Sequence, residues 1–191
     1  MPTRGEILET LAAAQTEVLA FFYGLSPHDL ERPATASDVP EAAPWRAKDH
    51  LAHLAQSERN IQRLLRATLA GETRDELLRL QYPAGMPLPD TLGDWDALTT
   101  EEQERLEVAV ARVNQTCVNA HQDDTLEMLA ADFRTARQDT VDLLQQFTDE
   151  QLAAPVPTVV GEQAAGDLFA GRAGHATEHI TLVEEGWREG V

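Results

Sequence analysis

The sequence predicts an all-α protein, built as a four-helix bundle with an additional helix between two helix pairs. Three observations lead to this fold class. Four long segments carry apolar residues at intervals of three and four, which is typical of amphipathic helices. The β-branched residues are scattered and alternating stretches are short, so we expect no strands. A stretch rich in proline and glycine, at 82–93, predicts a loop that separates the two pairs.

The first helix pair precedes this loop. Thr3 and Glu6 have the spacing of a capping box and predict the start of the first helix, which ends at Gly24. The second helix follows Trp45 and runs towards Gly71. Each helix is expected to turn one apolar face towards the core. The positions on these faces are Ile7, Leu8, Leu11, Val18 and Phe22 in the first helix, and Leu51, Leu54, Ile61, Leu65 and Leu69 in the second.

The additional helix and the second pair follow the loop. Thr99 and Glu102 predict the start of the additional helix, while Asp124 and Glu127 predict the start of the third helix of the bundle. The expected apolar positions are Leu106, Val110, Val113 and Cys117 in the additional helix, Leu126, Leu129, Phe133, Ala136, Leu143 and Phe147 in the third, and Phe169, Ala176, Ile180, Val183 and Trp187 in the fourth.

A short phrase occurs after both the first and the third helix. It reads LSPHDLERP at 25–33 and FTDEQLAAP at 147–155. Ser26 and Thr148 predict N-caps of short helical turns, and the closing proline is expected to stop each turn. The repetition predicts two related helix pairs with pseudo-twofold organisation. Internal duplication and the chance recurrence of a common capped turn are both compatible with it.

Composition limits the classes of partner. The 191 residues suit a single domain, 1–191, and no apolar run is long enough to cross a bilayer. The first residues, MPTRGEILETL, lack the features of a signal peptide, so we expect a cytoplasmic protein. The 33 acidic and 15 basic residues give a net charge of −18, which disfavours nucleic acid and anionic membranes as partners. The single cysteine, Cys117, is expected to be a small buried residue, which leaves thiol chemistry to a small-molecule partner.

Histidines are the candidate metal ligands. His175 and His179, in GHATEHITL at 174–182, project only about 40° apart on a helix, so both can reach one ion. On this spacing alone they can also be partly exposed imidazoles that bond to nearby carboxylates. A third ligand could come from the second helix, where the helical wheel slightly favours His50 over His53. A histidine on the flank of a bundle helix can nevertheless point at an adjacent helix.

Two carboxylates complete the candidate site. Residues 175–179 match H-x-x-E-H, the inverted zinc-peptidase signature in which the glutamate is the general base. Glu178, however, projects away from the apolar face, as a solvated carboxylate would. Glu58 occupies the apolar face of the second helix, where a carboxylate needs a partner. It is expected to support a metal ligand or to pair with an arginine.

Together these features resemble the DinB-like superfamily, which includes the YfiT-like proteins and the N-terminal domain of mycothiol-dependent maleylpyruvate isomerase. The resemblance is carried by Trp45 with His53 and Leu54 following it, by the HxxxH of His175 and His179, and by the two capped turns. It implies an up-down-down-up bundle in which His53, His175 and His179 bind a divalent metal such as zinc or nickel. His50, Glu58 and Glu178 are then the candidates for residues that support the ligands.

The resemblance also implies a class of reaction. Characterised relatives are metalloenzymes that use mycothiol or bacillithiol, and another branch hydrolyses a reactive toxin. We therefore expect a metal-dependent enzyme acting on a small-molecule substrate, either a small-thiol-dependent S-transferase or a hydrolase of small electrophiles. The alternative is a metal-binding or structural bundle without turnover. Because family members often pair, the resemblance also implies a homodimer.

Overall fold

Helices dominate the structure, so the protein is mainly α, as predicted. The computed structural model describes residues 2–40, 42–87, 89 and 93–191. The helices are α1 (Arg4–Gly24), α2 (Pro27–Leu30), α3 (Asp49–Leu69), α4 (Arg74–Arg79), α5 (Thr100–Ala120), α6 (Leu126–Leu144), α7 (Asp149–Ala153) and α8 (Ala165–Glu189). The strands are β1 (Pro33–Thr35), β2 (Trp45–Arg46), β3 (Pro155–Thr158) and β4 (Gly161–Ala164).

Side-chain caps explain where the long helices begin. The capping box of Thr3 and Glu6 opens α1, and that of Thr99 and Glu102 opens α5, which confirms both predicted starts. The predicted start of α6 at Asp124 is wrong by one residue. The Thr125 side chain caps α6 by accepting from the backbone N–H of Met128, because the Asp124 carboxylate is bonded to His121 Nδ1 at 2.7 Å.

The two repeated phrases form the same local structure. Ser26 caps α2 and Thr148 caps α7, as predicted. After each short helix the closing proline opens an antiparallel hairpin, β1 with β2 and β3 with β4. The expectation that the chain contains no strands is therefore wrong. These strands of two to four residues are too short to show the alternation by which a strand is recognised in a sequence.

Four long helices enclose the core. The helix α1 packs on α8 and α6, and α3 packs on α6 and α8. Their buried side chains form two apolar clusters. The first includes Ile7, Leu11, Leu65, Leu144 and Phe169, and the second includes Val18, Phe22, Leu51, Leu54, Phe133 and Val183. The predicted apolar faces of these helices are thus largely confirmed.

The additional helix, α5, packs against α3. Its predicted apolar face is only partly confirmed, since Leu106 is buried while Val110 and Val113 are 40% and 42% exposed. Contact with one helix on one side does not require a continuous stripe along α5. Cys117 is half-buried, and its thiol lies 3.7 Å from the carbonyl oxygen of Ala52.

The segment between the helix pairs contains α4, which the sequence analysis did not predict. In the predicted loop at 82–93, the described residues 82–87, 89 and 93 form neither helix nor strand, and Leu88 and residues 90–92 lie outside the described residues. Within the described part of the chain, no helix combines the length and apolar character needed to cross a bilayer.

Candidate metal centre

Side chains of α3 and α8 face each other in three successive pairs. His50 Nδ1 lies 2.7 Å from His179 Nδ1, and the rings of His53 and His175 have centroids 5.4 Å apart. One turn further along both helices, Arg172 Nη1 donates to Ser57 Oγ at 2.8 Å. The spacing of three or four residues on each helix keeps all six side chains on the facing sides.

Three histidines form a compact group of nitrogen atoms. His53, His175 and His179 each offer one ring nitrogen, and these atoms all lie within 4.8 Å of one another. Since Zn–N bonds are about 2.0–2.1 Å long, two nitrogens on one ion lie at most about 4.2 Å apart. The imidazoles would therefore have to move together slightly to bind an ion. The ligand set named in the sequence analysis is the one that the fold brings together.

Unsatisfied nitrogen atoms indicate that these residues fit a metal ion. Among the described residues, His53 Nδ1 and His175 Nε2 are buried and have no hydrogen-bond partner. A buried polar atom without a partner is unfavourable and calls for an explanation. A neutral imidazole nitrogen carries a lone pair that a divalent cation can accept. The donor set is therefore suited to zinc or nickel.

Burial keeps the histidines in the neutral form. It is the main reason that the pKa of His179 falls to about 2 and the pKa of His175 to about 3, and neighbouring positive charge adds to both effects. Burial likewise lowers the pKa of His53 to about 4, with a further contribution from Arg172, and that of His50 to about 3. At neutral pH all four imidazoles are thus uncharged, which is the form that binds metals.

His50 lies behind His179 rather than within the group of three. It is fully buried, and its Nε2 lies 2.9 Å from Thr35 Oγ1 of β1. If His179 Nδ1 carries a proton, it donates to His50 Nδ1, and His50 Nε2 then donates to Thr35 Oγ1. In that tautomer His179 Nε2 is free to bind a metal. Metal-binding histidines commonly have their second nitrogen oriented by such a partner.

Trp45 covers the other side of the histidines. Its ring packs edge-on against His50, with centroids 5.6 Å apart, and lies tilted against His53, with centroids 5.3 Å apart. The indole Nε1 donates to Gln115 Oε1 of α5 at 3.0 Å, and Ser37 Oγ donates to the same oxygen. The additional helix therefore fixes the tryptophan that borders the site.

The two candidate carboxylates lie elsewhere. Glu58 accepts from Arg137 Nη2 at 2.9 Å and from Thr140 Oγ1 at 2.5 Å, so it pairs with an arginine, the second of the two roles expected for it. Burial raises the pKa of Glu58, and the charge of Arg137 opposes this rise. Glu178 is exposed, and no hydrogen bond or ion pair among the described residues joins it to a histidine. The geometry thus does not favour Glu178 as a base.

A small cavity gives access to the histidines. It has a volume of about 160 Å³, and His50, His53 and His179 line it together with Trp45 and Asn114. The volume suits one reactive group of a small molecule. Of the three candidate ligands, His53 and His179 line the cavity and His175 does not.

Sequence reasoning missed two residues that the fold places beside the site. Arg172 precedes His175 by three residues and His179 by seven, so helical spacing could have assigned it to the same face. Thr35 had no such signal, because it lies in a strand of three residues.

Comparisons with known proteins bear on the fold alone. No protein-family model matches the chain, and no curated protein is significantly similar to it. It is similar to the crystal structure of an uncharacterised protein from Escherichia coli UTI89, with a TM-score of 0.63 and 10% sequence identity. The match covers 98% of this chain and 94% of the other. At so low an identity, the likeness shows a shared fold.

Proposed function

We propose that this protein is a divalent-metal-dependent enzyme of the DinB-like type. The activity that we propose is the transfer of a small thiol to an electrophile, or the hydrolysis of a small electrophile. The observation that carries the proposal is the convergence of three neutral imidazoles, His53, His175 and His179, two of which, His53 and His179, line a cavity. Three protein ligands leave coordination positions open, as in catalytic sites, whereas structural zinc sites use four protein ligands.

The proposal includes an up-down-down-up order of the four long helices. Along α3 and α6 the numbers of the contacting residues rise together, which supports a parallel pair. Between α1 and α6, and between α3 and α8, the numbers rise on one helix as they fall on the other, which supports antiparallel pairs. The contacts are Arg59 with Asp132 and Gln62 with Ala136 between α3 and α6, Leu11 with Arg137 and Arg4 with Gln145 between α1 and α6, and His50 with His179 and Ser57 with Arg172 between α3 and α8.

Each residue has a defined part in this proposal. His53, His175 and His179 would hold the ion, and His50 with Thr35 would orient the ring of His179. When bound, a divalent ion lowers the pKa of a thiol or water that it coordinates and so supplies a nucleophile at neutral pH. Trp45 shields one side of the site from water.

The protein's own thiol is poorly placed to act as the nucleophile. Cys117 is the single cysteine, and burial raises its pKa. A thiol with a raised pKa is mostly protonated at neutral pH and is a weak nucleophile. The attacking sulfur is therefore proposed to belong to a low-molecular-weight thiol such as mycothiol or bacillithiol, with a small electrophile as the second substrate. A metal-binding bundle without turnover is the alternative.

The first test is metal content. Untagged protein should carry close to one equivalent of zinc or nickel by elemental analysis. His179→Ala should lose most of it, because one of three nitrogen ligands is removed. His28→Ala, which changes an exposed histidine of α2, is the matched control and should keep the metal. Equal metal content in the two variants would contradict the proposed ligand set.

The second test is the requirement for a thiol. Metal-loaded protein should accelerate conjugation of a small thiol to an electrophile in a panel of both, and His53→Ala and His179→Ala should lose the activity. Cys117→Ser should keep it, since the reacting sulfur is not the protein's own. Turnover that persists without added thiol would identify a hydrolase. Silence of the whole panel with fully metallated protein would favour the non-catalytic alternative.

A further inference from the structure

A second and larger cavity adjoins the first and is lined mainly by α3, α5 and the segment after α4, with Arg172 from α8. Its volume is about 580 Å³, and Asn114 lines both cavities, so the two are neighbours. Three arginines contribute to its wall, Arg63, Arg79 and Arg172, and none of the described residues lining it is acidic. In a chain with 33 acidic and 15 basic residues, such a wall is an unusual concentration of positive charge.

The side chain of Arg172 is largely buried, and no carboxylate of the described residues forms an ion pair with it. Its Nη1 donates to Ser57 Oγ, and its Nε is buried without a partner among the described residues. Glu58 forms its ion pair with Arg137. The group of Glu58, Arg137 and Arg172 thus holds two cations and one anion. An uncompensated buried charge is strongly unfavourable, so this group is suited to binding a further anion.

The rest of the wall indicates the kind of anion. Ile61, Leu64, Val110 and Val113 give the cavity an apolar side, which explains the exposure of the two valines of α5. A guanidinium group binds a carboxylate through two parallel hydrogen bonds. The exposed arginines, Arg63 and Arg79, add positive potential that attracts an anion towards the cavity.

We propose that this cavity binds a small organic carboxylate with an apolar body, and that Arg172 is the residue that pairs with the carboxylate. Arg172 lies one turn before His175 on α8, and it contacts Ser57, which lies one turn after His53 on α3. A molecule held by Arg172 can therefore extend to the metal centre. This extension, by which the carboxylate is part of the reacting substrate, rests on the proposed function. Binding of the carboxylate itself does not depend on that function.

The test uses a matched pair of probes, 4-phenylbutyrate and its uncharged amide, titrated calorimetrically at constant ionic strength into the full-length protein. The acid should bind both metal-loaded and chelator-treated protein. The amide should bind at least about tenfold more weakly, because a charge-assisted hydrogen bond is lost. Arg172→Gln should reduce the affinity for the acid by a similar factor. Arg188→Gln, which changes an exposed arginine of α8 that does not line the cavity, should bind as the unaltered protein does.

Because Arg172 is largely buried, Arg172→Gln can fail to fold, and a second variant is needed in that case. The double variant Arg63→Gln, Arg79→Gln changes exposed residues and should reduce the affinity for the acid by about threefold. If Arg172→Gln does not fold, this double variant and the comparison of acid with amide decide the result. Equal binding of acid and amide, or unchanged binding in all the cavity variants, would overturn the proposal. Binding of the acid to metal-loaded protein alone would also overturn it, since the carboxylate would then be on the ion.

Binding of the acid and binding of the metal can be tested separately. His179→Ala should lose the metal and still bind 4-phenylbutyrate. A protein that binds metal and not the acid would retain the proposed function and refute the anion cavity. A protein that binds the acid and not metal would do the reverse.

Discussion

The contact between His50 and His179 restricts the protonation of both residues. Their Nδ1 atoms lie 2.7 Å apart, and a hydrogen bond between them requires that one of the two lacks a proton. Two protonated imidazoles would place two donors and two charges against each other. The cationic groups near the other histidines, Arg172 and Arg137, act in the same direction. The neutral state of the four histidines is thus a consequence of their packing.

This packing predicts how the stability of the metal-free protein depends on pH. The pKa values of the four buried histidines lie below the ordinary 6.5, so below pH 6.5 the unfolded chain takes up protons that the folded chain does not. Their contribution to stability is present above pH 6.5 and is lost as the pH falls. At pH 5.5 the loss should be about 1.4 kcal/mol for each histidine that stays neutral. Urea denaturation of chelator-treated protein at pH 7.5 and 5.5 measures it.

The variants separate this effect from general acid sensitivity. His53→Gln should show a smaller difference between the two pH values, because one buried neutral imidazole is gone. His28→Ala, in which an exposed histidine is changed, should keep the full difference. If stability is the same at both pH values, the four imidazoles are not held neutral by the fold.

At this scale the sequence predicted some residues well and others poorly. The spacing of His175 and His179 was sufficient to group these two residues, because both lie on the same face of one helix. The helical wheel could not decide between His50 and His53, because it does not show that α3 contacts α5, α6 and α8. Both histidines are buried, and their surroundings differ, since His50 faces β1 through Thr35 while His53 faces His175. Only the family resemblance favoured His53.

The element that holds Thr35 against His50 is the β1 strand, which crosses α8 at very close range. A Cβ atom on Gly186 of α8 would lie 1.5 Å from the carbonyl oxygen of Ala34. Arg32, just before β1, donates to the carbonyl oxygen of Trp187 at 3.2 Å and packs over its ring. Glycine is thus required at 186 because the backbones of β1 and α8 approach there.

Gly186→Ala should therefore destabilise the protein. The added methyl group meets backbone rather than a flexible side chain, so β1 or α8 has to move, at a cost of about 1–3 kcal/mol. We expect weaker metal binding as well, because Thr35 would shift with the strand. Chemical denaturation and metal titration measure the two effects.

The same helix provides the matched control. A Cβ atom at Gly171 meets nothing within 4 Å, so Gly171→Ala should leave metal binding unchanged and stabilise the helix by up to about 1 kcal/mol. A Gly186→Ala variant as stable as Gly171→Ala would show that β1 does not lie against α8 in solution.

The long helices were predicted from the sequence, whereas α4 and the short strands were not. The starts of α1 and α5 follow from capping boxes, and the apolar faces follow from helical spacing over about five turns. The hairpins were not predicted because strands this short are stabilised by contacts with residues that are distant in the sequence. Gln81 donates to the carbonyl oxygen of Pro157 and accepts from Val159 N–H, and such contacts between distant residues have no local signal.

At the scale of the whole molecule, the candidate metal centre adjoins a core that does not depend on it. The two apolar clusters draw on α1, α3, α6 and α8, and the long-range contacts of α3 with α6 and of α1 with α8 hold the bundle without the histidines. A chain of this length buries enough apolar surface to fold without an ion. An ion bound by the histidines would thus not be needed for the fold.

Removal of the metal should accordingly leave the helices in place. Because an ion that binds only the folded state stabilises it by mass action, chelation should lower the melting temperature while the far-ultraviolet circular dichroism at 20 °C stays nearly unchanged. His179→Ala should have the same helical signal as the unaltered protein, and its melting temperature should not respond to chelator. A loss of helicity on chelation would instead assign the ion a structural role, as in small zinc domains that unfold without their metal. The proposed function requires the first outcome, since a site with open coordination positions can react only if the surrounding bundle keeps its shape while ligands exchange.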